Sequence, residues 1–257
     1  MLQDLLQKYF GYNTFRPLQQ DIVEHVVAKQ DAFVLMPTGG GKSLCYQLPA
    51  LAFPGMTLVI SPLIALMKDQ VDALRQNGIE AAYLNSTLSF QEAQRIQREA
   101  EIGHIKLLYV APERIAQPWF QTWLQRLAIS LVAVDEAHCI SEWGHDFRPE
   151  YRQLAVLRTI LPNATVIALT ATANERVRHD ILTQLKLENG RTFCSSFNRP
   201  NLTYHIRPKR QSFEQLKTLV KTVQGSSVVI YCVSRKDTER IAEGLTKEGI
   251  KAVPYHA

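Results

Sequence analysis

Short apolar runs alternate with amphipathic stretches along most of the chain. Ala32-Phe-Val-Leu-Met36, Thr57-Leu-Val-Ile-Ser61, Ala81-Ala-Tyr-Leu84, Lys106-Leu-Leu-Tyr-Val110, Leu131-Val-Ala-Val134 and Thr165-Val-Ile-Ala-Leu169 each have the length of a strand. They are apolar nearly throughout, as strands buried on both faces are. Helical spacing covers residues 63–77 (closed by Gly78), 89–102, about 118–127 and 175–185. Ahead of the first strand, Leu2, Leu5, Leu6 and Tyr9 share one helical face, with Gly11 as the stop. Pro17 suits the first turn of a second helix carrying Gln19, Ile22, Val23 and Val26. The repeated strand–helix order predicts an α/β fold, a parallel sheet covered by helices on both faces. Ligands of such sheets sit at the C-terminal ends of the strands.

The pattern shifts at Ser195-Ser-Phe-Asn-Arg-Pro-Asn-Leu202, which is polar and contains Pro200. The domains expected are therefore 1–195, a linker over 196–203, and a second set of α/β units over 204–257. The second set begins at Tyr204-His-Ile206 and holds a helix over 213–223, a strand Val228-Val-Ile-Tyr-Cys232, a helix near 237–247 and the pair Ala252-Val253. About half of an ordinary α/β domain is written after the linker, so the expectation is a complete first domain and a truncated second.

Composition changes this picture little. The 257 residues are 46% hydrophobic and 21% charged, and 29 Lys and Arg against 24 Asp and Glu give a net charge of +5. That is a mild lean toward a polyanionic partner. Cys45, Cys139, Cys194 and Cys232 are far apart, which indicates neither a zinc ribbon nor a disulfide framework. The N-terminus lacks the basic region and apolar core of a signal peptide, and no apolar run reaches membrane-spanning length. The expectation is a soluble intracellular protein.

The densest chemistry follows the first strand. Met36-Pro37-Thr38-Gly39-Gly40-Gly41-Lys42-Ser43 leads into a helix at Leu44 and reads as a phosphate-binding loop, although Met36 stands where the usual pattern has a glycine. The glycines let backbone N–H groups converge on phosphate oxygens, Lys42 reaches the outer phosphates, and the Ser43 hydroxyl is a Mg²⁺ ligand. The strand at Leu131 ends in Asp135-Glu136-Ala137-His138. In a nucleoside triphosphatase Asp135 holds Mg²⁺ and Glu136 orients and deprotonates the attacking water. Thr170-Ala171-Thr172-Ala173 can be a capping turn, through Thr172 or Asn174, or a hydroxyl pair linking the metal site to a domain interface. Gln19 offers a donor and an acceptor that match the edge of adenine, with Tyr12 as a cover for the base; a surface-exposed Gln19 is the plainer alternative. Finally, Trp143-Gly144-His145-Asp146-Phe147-Arg148-Pro149 interleaves aromatic and charged groups on a loop soon after the carboxylates. Such groups stack unpaired bases, and a loop there could sense nucleic acid and the γ-phosphate together.

Several motifs recur in a fixed order: Phe10-Gly-Tyr-x-x-Phe-Arg-Pro-x-Gln19, the loop at Met36, Ser61-Pro-Leu-Ile-Ala-Leu-Met-Lys-Asp-Gln70, Ala111-Pro-Glu-Arg114, the run from Asp135 to Tyr151, Thr170-Ala-Thr-Ala173 and Tyr231-Cys-x-Ser-Arg235. In this order the chain resembles the RecQ family of DNA helicases, superfamily 2 enzymes with two RecA-like domains, over nearly its whole length. Met36 is that family's own spelling. The resemblance implies an ATP-dependent 3′→5′ DNA helicase of recombination and repair, acting on single-stranded and forked DNA with ATP and Mg²⁺. It assigns adenine recognition to Tyr12, Arg16 and Gln19, and phosphate and Mg²⁺ binding to Thr38, Gly39, Gly40, Gly41, Lys42 and Ser43. Catalysis falls to Lys42, Asp135 and Glu136, and DNA coupling to Trp143, His145, Phe147 and Arg148. Ser61, Lys68 and Asn85 are further DNA-path candidates, and Ser234 and Arg235 are expected to face the cleft from the second domain. The family's arginine finger and zinc-binding, winged-helix and C-terminal domains fall outside these residues. No zinc site is therefore expected, and the 257 residues alone should bind nucleotide weakly and unwind little. The alternatives are a DEAD/DEAH-box RNA helicase and a catalytically idle nucleotide-dependent DNA-binding module. The resemblance implies a cytoplasmic location, with the nucleoid in a bacterium, or the nucleus in a eukaryote. It names no protein partner and no membrane.

Overall fold

The structure, a computed structural model, describes residues 1–196, 201–223 and 225–256. The chain divides into two compact units, Met1–Arg199 and Pro200–Ala257. Half of the linker expected over 196–203, residues 197–200, lies outside the described residues.

The first unit opens with helices α1 (Leu2–Phe10) and α2 (Gln19–Val27). Gly11 ends α1 in the left-handed conformation, φ 71°, returning its N–H to Gln7 O. Pro17 lies in the turn before α2 rather than inside its first turn. The remaining elements alternate: β1 (Ala32–Leu35), α3 (Leu44–Ala52), β2 (Met56–Ile60), α4 (Ile64–Gln76), β3 (Ala81–Leu84), α5 (Phe90–Glu101), β4 (Leu107–Val110), α6 (Pro112–Ile115), α7 (Pro118–Leu124) and β5 (Ile129–Val134). A 3₁₀ turn over Ala137–Ile140, short helices α8 (Pro149–Arg152) and α9 (Leu157–Ile160), β6 (Thr165–Thr170), α10 (Glu175–Gln184) and β7 (Arg191–Cys194) complete it.

All seven strands pair in parallel, in the order β3-β4-β2-β5-β6-β1-β7. The period-two alternation of a strand sends neighbouring residues to opposite faces. Phe33, Leu35, Leu58 and Ile60 join one core with Ile96, Phe120, Leu124, Val177 and Ile181 from α5, α7 and α10. Ala32, Val34 and Val59 join the other with Ile22, Cys45, Tyr46, Met67 and Val71 from α2, α3 and α4. Each fully buried Val, Leu, Ile or Phe contributes about 1.5–3 kcal/mol, so both helical layers are required to hold the sheet. α1 adds a smaller cluster in which Leu6 meets Val23, Leu44 and Leu48.

Two features depart from the pattern. β7 is a strand that the hydropathy does not announce: only Phe193 of Arg191-Thr-Phe-Cys194 is buried, because this edge strand has one neighbour, β1, and one wet side. Conversely, the strand expected at Val228-Val-Ile-Tyr-Cys232 pairs with nothing among the described residues. Val229 and Tyr231 are almost fully exposed. An apolar run becomes a strand through ladder partners, and this one has none. The described secondary structure of the second unit is α11 (Ser212–Thr222) and α12 (Arg235–Lys247). They pack where Gly244 lets α12 approach the Phe213 ring so closely that a Cβ would lie 2.7 Å from it. Among the described residues no helix is long and apolar enough to cross a membrane.

Candidate nucleotide site and aromatic loop

The loop after β1 is gripped through its carbonyl oxygens. Arg16 Nη1 donates to Gly39 O at 2.6 Å, Gln19 Nε2 to Gly41 O at 3.1 Å, and Lys42 Nζ to Met36 O at 3.2 Å. Among the described residues, the backbone N–H groups of Gly39, Gly41, Lys42 and Ser43 have no protein acceptor. Converging free amides with capped carbonyls form a concavity suited to an anion. Gly39 and Gly41 are left-handed, at φ 78° and 85°, and a Cβ on Gly41 would overlap the Gln19 amide. Gln19 is therefore not a surface residue. It is buried, and its other amide atom, Oε1, accepts the Arg16 N–H at 2.8 Å. Tyr12 is exposed nearby in sequence.

β5 delivers the two carboxylates, and their surroundings push them apart. Burial, and then the charge of Glu136, raise Asp135 from 3.8 to about 6. Glu136 is held below its ordinary value, chiefly by a hydrogen bond from His138. Lys42 lies near enough to lower both. Glu136 is itself left-handed at φ 48°, a strained setting for a residue with a side chain, and its N–H donates to Asp135 Oδ1 at 3.0 Å. Asp135 has no ion-pair partner among the described residues. A buried, unpaired carboxylate beside free loop amides is a donor set that suits a divalent cation carrying phosphate oxygens, so these residues fit Mg²⁺–nucleotide.

His138 connects this pair to β6. Its Nδ1 lies 2.9 Å from Thr170 Oγ1 and 3.3 Å from Glu136 Oε2. The Thr170 hydroxyl donates to Thr172 O, which leaves it an acceptor for His138 and puts the imidazole proton on Nδ1. The run at Thr170 holds the capping turn, and one of its hydroxyls reaches the residues beside the carboxylates. Asn174 caps α10 through Val177 N at 3.0 Å, while Thr170 ties the strand end to the carboxylates.

The aromatic loop is wired through side chains. His145 stacks on His138 with ring centres 4.4 Å apart. Arg148 donates to Asp146 Oδ2 from Nε and Nη2 and to Pro62 O, beyond β2, at 3.0 Å. Gly144 permits the loop to close: a Cβ there would sit 2.7 Å from His138 O. Phe147 lies under the Arg152 guanidinium, which also pairs with Glu142 and Asp180, and Trp143 lies under that of Arg176. Neither arginine was singled out in the sequence, since pairing with an aromatic across the fold leaves no local signal. His138, Cys139 and Asp146 offer three ligand atoms within 4.8 Å of one another. Arg148 pairs with that carboxylate and the Cys139 thiol donates to it at 3.7 Å, so the three groups tie the loop to the 3₁₀ turn.

Of the further candidates, Ser61 and Asn85 are buried at the ends of β2 and β3, and Ser61 Oγ and Asn85 Nδ2 lack hydrogen-bond partners among the described residues. Lys68 is exposed on α4. Next to them a groove of about 530 Å³ is lined by Pro62, Ile64, Ser86, Arg114 and Arg148. Ser234 caps α12 through Asp237 N at 3.1 Å, and Arg235 begins that helix.

The sequence profile of the DEAD/DEAH box helicases matches residues 16–181. The chain belongs to that family. It is 50% identical to the ATP-dependent DNA helicase RecQ of Pasteurella multocida over 254 residues, 99% of this chain and 40% of that protein. To RecQ of Bacillus subtilis it is 45% identical over 256 residues, 99% of this chain and 43% of that protein. The chain thus spans about two fifths of the length of these curated relatives. Among solved structures, the DUF1998 helicase MrfA bound to DNA and AMPPNP superposes with a TM-score of 0.73 at 18% identity, covering 96% of this chain and 37% of that one. A hypothetical ATP-dependent RNA helicase from Sulfolobus tokodaii gives 0.62 at 16% identity, covering 94% and 71%. At these identities the structural likenesses bear on the fold alone, which is the RecA-like helicase fold.

Proposed function

We propose that this chain is the motor portion of a RecQ-type ATP-dependent DNA helicase, hydrolysing ATP to move along one strand in the 3′→5′ direction and unwind duplex during recombination and repair. The observation that carries the reading is a single chain of contacts. It runs from the carboxylate Glu136 through His138 to the aromatic loop that would meet the nucleic acid. In this reading Tyr12, Arg16 and Gln19 recognise adenine, and the amides of residues 38–43 hold the phosphates. Lys42 leaves Met36 O for the outer phosphates. Ser43 and Asp135 hold Mg²⁺, which supplies charge neutralisation when bound. Glu136, kept ionised, takes the proton of the attacking water. Trp143, His145, Phe147 and Arg148 contact single-stranded DNA, with Ser61, Lys68 and Asn85 along its path. A shift of His145 or Arg148 on binding is felt at Glu136 through the His138 stack. The units are read as a first RecA-like domain over 1–195, a linker over 196–203, and part of a second from 204. Work on DNA places the protein in the bacterial cytoplasm or the eukaryotic nucleus.

The deciding measurement is ATP turnover of the full-length protein with single-stranded DNA, forked DNA or RNA. Stimulation by DNA well above RNA is expected. Stimulation by RNA alone would move the assignment to an RNA enzyme, and nucleotide-dependent DNA binding without turnover would leave an idle binding module.

A further inference from the structure

One arginine in the first unit is placed as though it awaited a partner. Arg176 lies in the first turn of α10, where a cation is disfavoured by the helix dipole. Among the described residues it forms no ion pair and no hydrogen bond. It lies instead against Trp143, whose ring centre is 3.6 Å from the guanidinium carbon. At that distance the guanidinium lies against the ring in cation–π contact, and its N–H donors have no acceptor among the described residues. Trp143 is 58% exposed even so, leaving much of the indole open. Arg152 makes the contrast: it too lies over a loop aromatic, but its charge is already met by ion pairs with Glu142 at 3.4 Å and Asp180 at 3.8 Å.

We propose that Arg176 and Trp143 form one composite subsite for single-stranded nucleic acid. Arg176 fixes the indole as a platform, the open indole surface takes a base, and the free guanidinium N–H groups take the phosphate beside it. The proposal rests on the reading of the aromatic loop as a nucleic-acid contact and adds a residue from a different element, α10. Because α10 follows the Thr170 run that anchors His138, the same strand would touch both ends of the connection to Glu136. Stacking on an aromatic tolerates any base, so the subsite confers affinity and register without sequence preference.

The test uses the full-length protein carrying Arg176→Ala, Arg176→Lys or Trp143→Ala, titrated with an oligo-dT probe at several salt concentrations. Arg176→Ala is expected to weaken binding severalfold at low salt and to flatten the dependence of log K on log salt by about 0.7, the share of one phosphate contact on a single strand. It should also make Trp143 more open to acrylamide quenching, with Trp143→Phe subtracting the signal of the other tryptophans. Arg176→Lys should restore the salt slope but not the protection from quencher. An unchanged slope in Arg176→Ala overturns the proposal, as does tighter binding, which would make Arg176 a cover rather than a platform. Trp143→Ala binding as well as wild type would remove the base-stacking reading instead, and the salt slope would still decide the phosphate contact separately.

Discussion

The glycine loop and the aromatic loop rise from the same end of one sheet, after β1 and after β5, and are held in opposite ways. In the first, side chains from elsewhere grip main-chain oxygens: Arg16 on Gly39, Gln19 on Gly41. What remains free is backbone. In the second, side chain holds side chain, His145 on His138, Arg148 on Asp146, Arg176 over Trp143, and what remains free is aromatic surface. A backbone-built site demands particular conformations and tolerates almost no substitution where φ is positive. A side-chain-built site can be retuned one contact at a time, as a device that couples two ligands requires.

The sharpest break of this contrast comes at the point where the two loops serve one reaction. Glu136→Gln removes the proton acceptor but keeps the shape, so DNA-stimulated turnover should fall about 100- to 10,000-fold with nucleotide still bound; unchanged turnover in the full-length protein would end the assignment of Glu136. Next, Gly41→Ala adds a left-handed β-carbon against Gln19. Strain of about 1–3 kcal/mol should lower nucleotide affinity roughly 10- to 100-fold, as read by calorimetric titration. Gly39→Ala has a similar φ but open space around it, and should cost less; equal losses would mean that the Gln19 grip contributes nothing. Thr170→Val withdraws the acceptor for His138 at unchanged volume. A lost hydrogen bond of about 1 kcal/mol predicts a severalfold drop in stimulated turnover with nucleotide affinity intact, and Thr170→Ser should restore it.

The last prediction concerns stability rather than turnover. Asp135 has a folded pKa above its unfolded value, 3.8 to about 6, so the native state holds the proton more tightly. The group costs nothing below pH 4, and its cost grows as pH rises to about 6. At neutral pH it reaches about 3 kcal/mol as an upper bound. In EDTA, Asp135→Asn should therefore melt higher than wild type at pH 7.5, and the gain should vanish near pH 4. A gain that persists at low pH would point to packing rather than charge. Glu136, shifted the other way, should show no such gain.

Much of the first unit was legible because its strands are buried on both faces and carry unbroken apolar runs. β7 was not, since an edge strand with only Phe193 inside looks like a loop. The run at Val228 misled for the opposite reason: it has a strand's composition and, among the described residues, no neighbour to pair with. In the candidate site, Gly39, Gly41, Lys42, Asp135 and Glu136 could be picked out because each stands at its own position in a fixed local motif. The burial of Gln19 and the partners Arg152 and Arg176 could not, because each depends on residues brought together across the fold. Arg176 lies 33 positions after the indole that it covers.

The strand order has a consequence for how such a chain is made. β1, the first strand of the unit to be synthesised, ends between β6 and β7, pairing Ala32 with both Ile167 and Arg191. Its two neighbours are the last strands of the unit to be synthesised. At about 5–20 residues per second, some seconds pass between them. During that interval Phe33 and Val34 have no sheet to enter, and the glycine loop has no fixed strand to spring from. Nucleotide binding by a ribosome-bound chain would therefore switch on late and abruptly, near residue 194. The oldest part of the site would be the last to work.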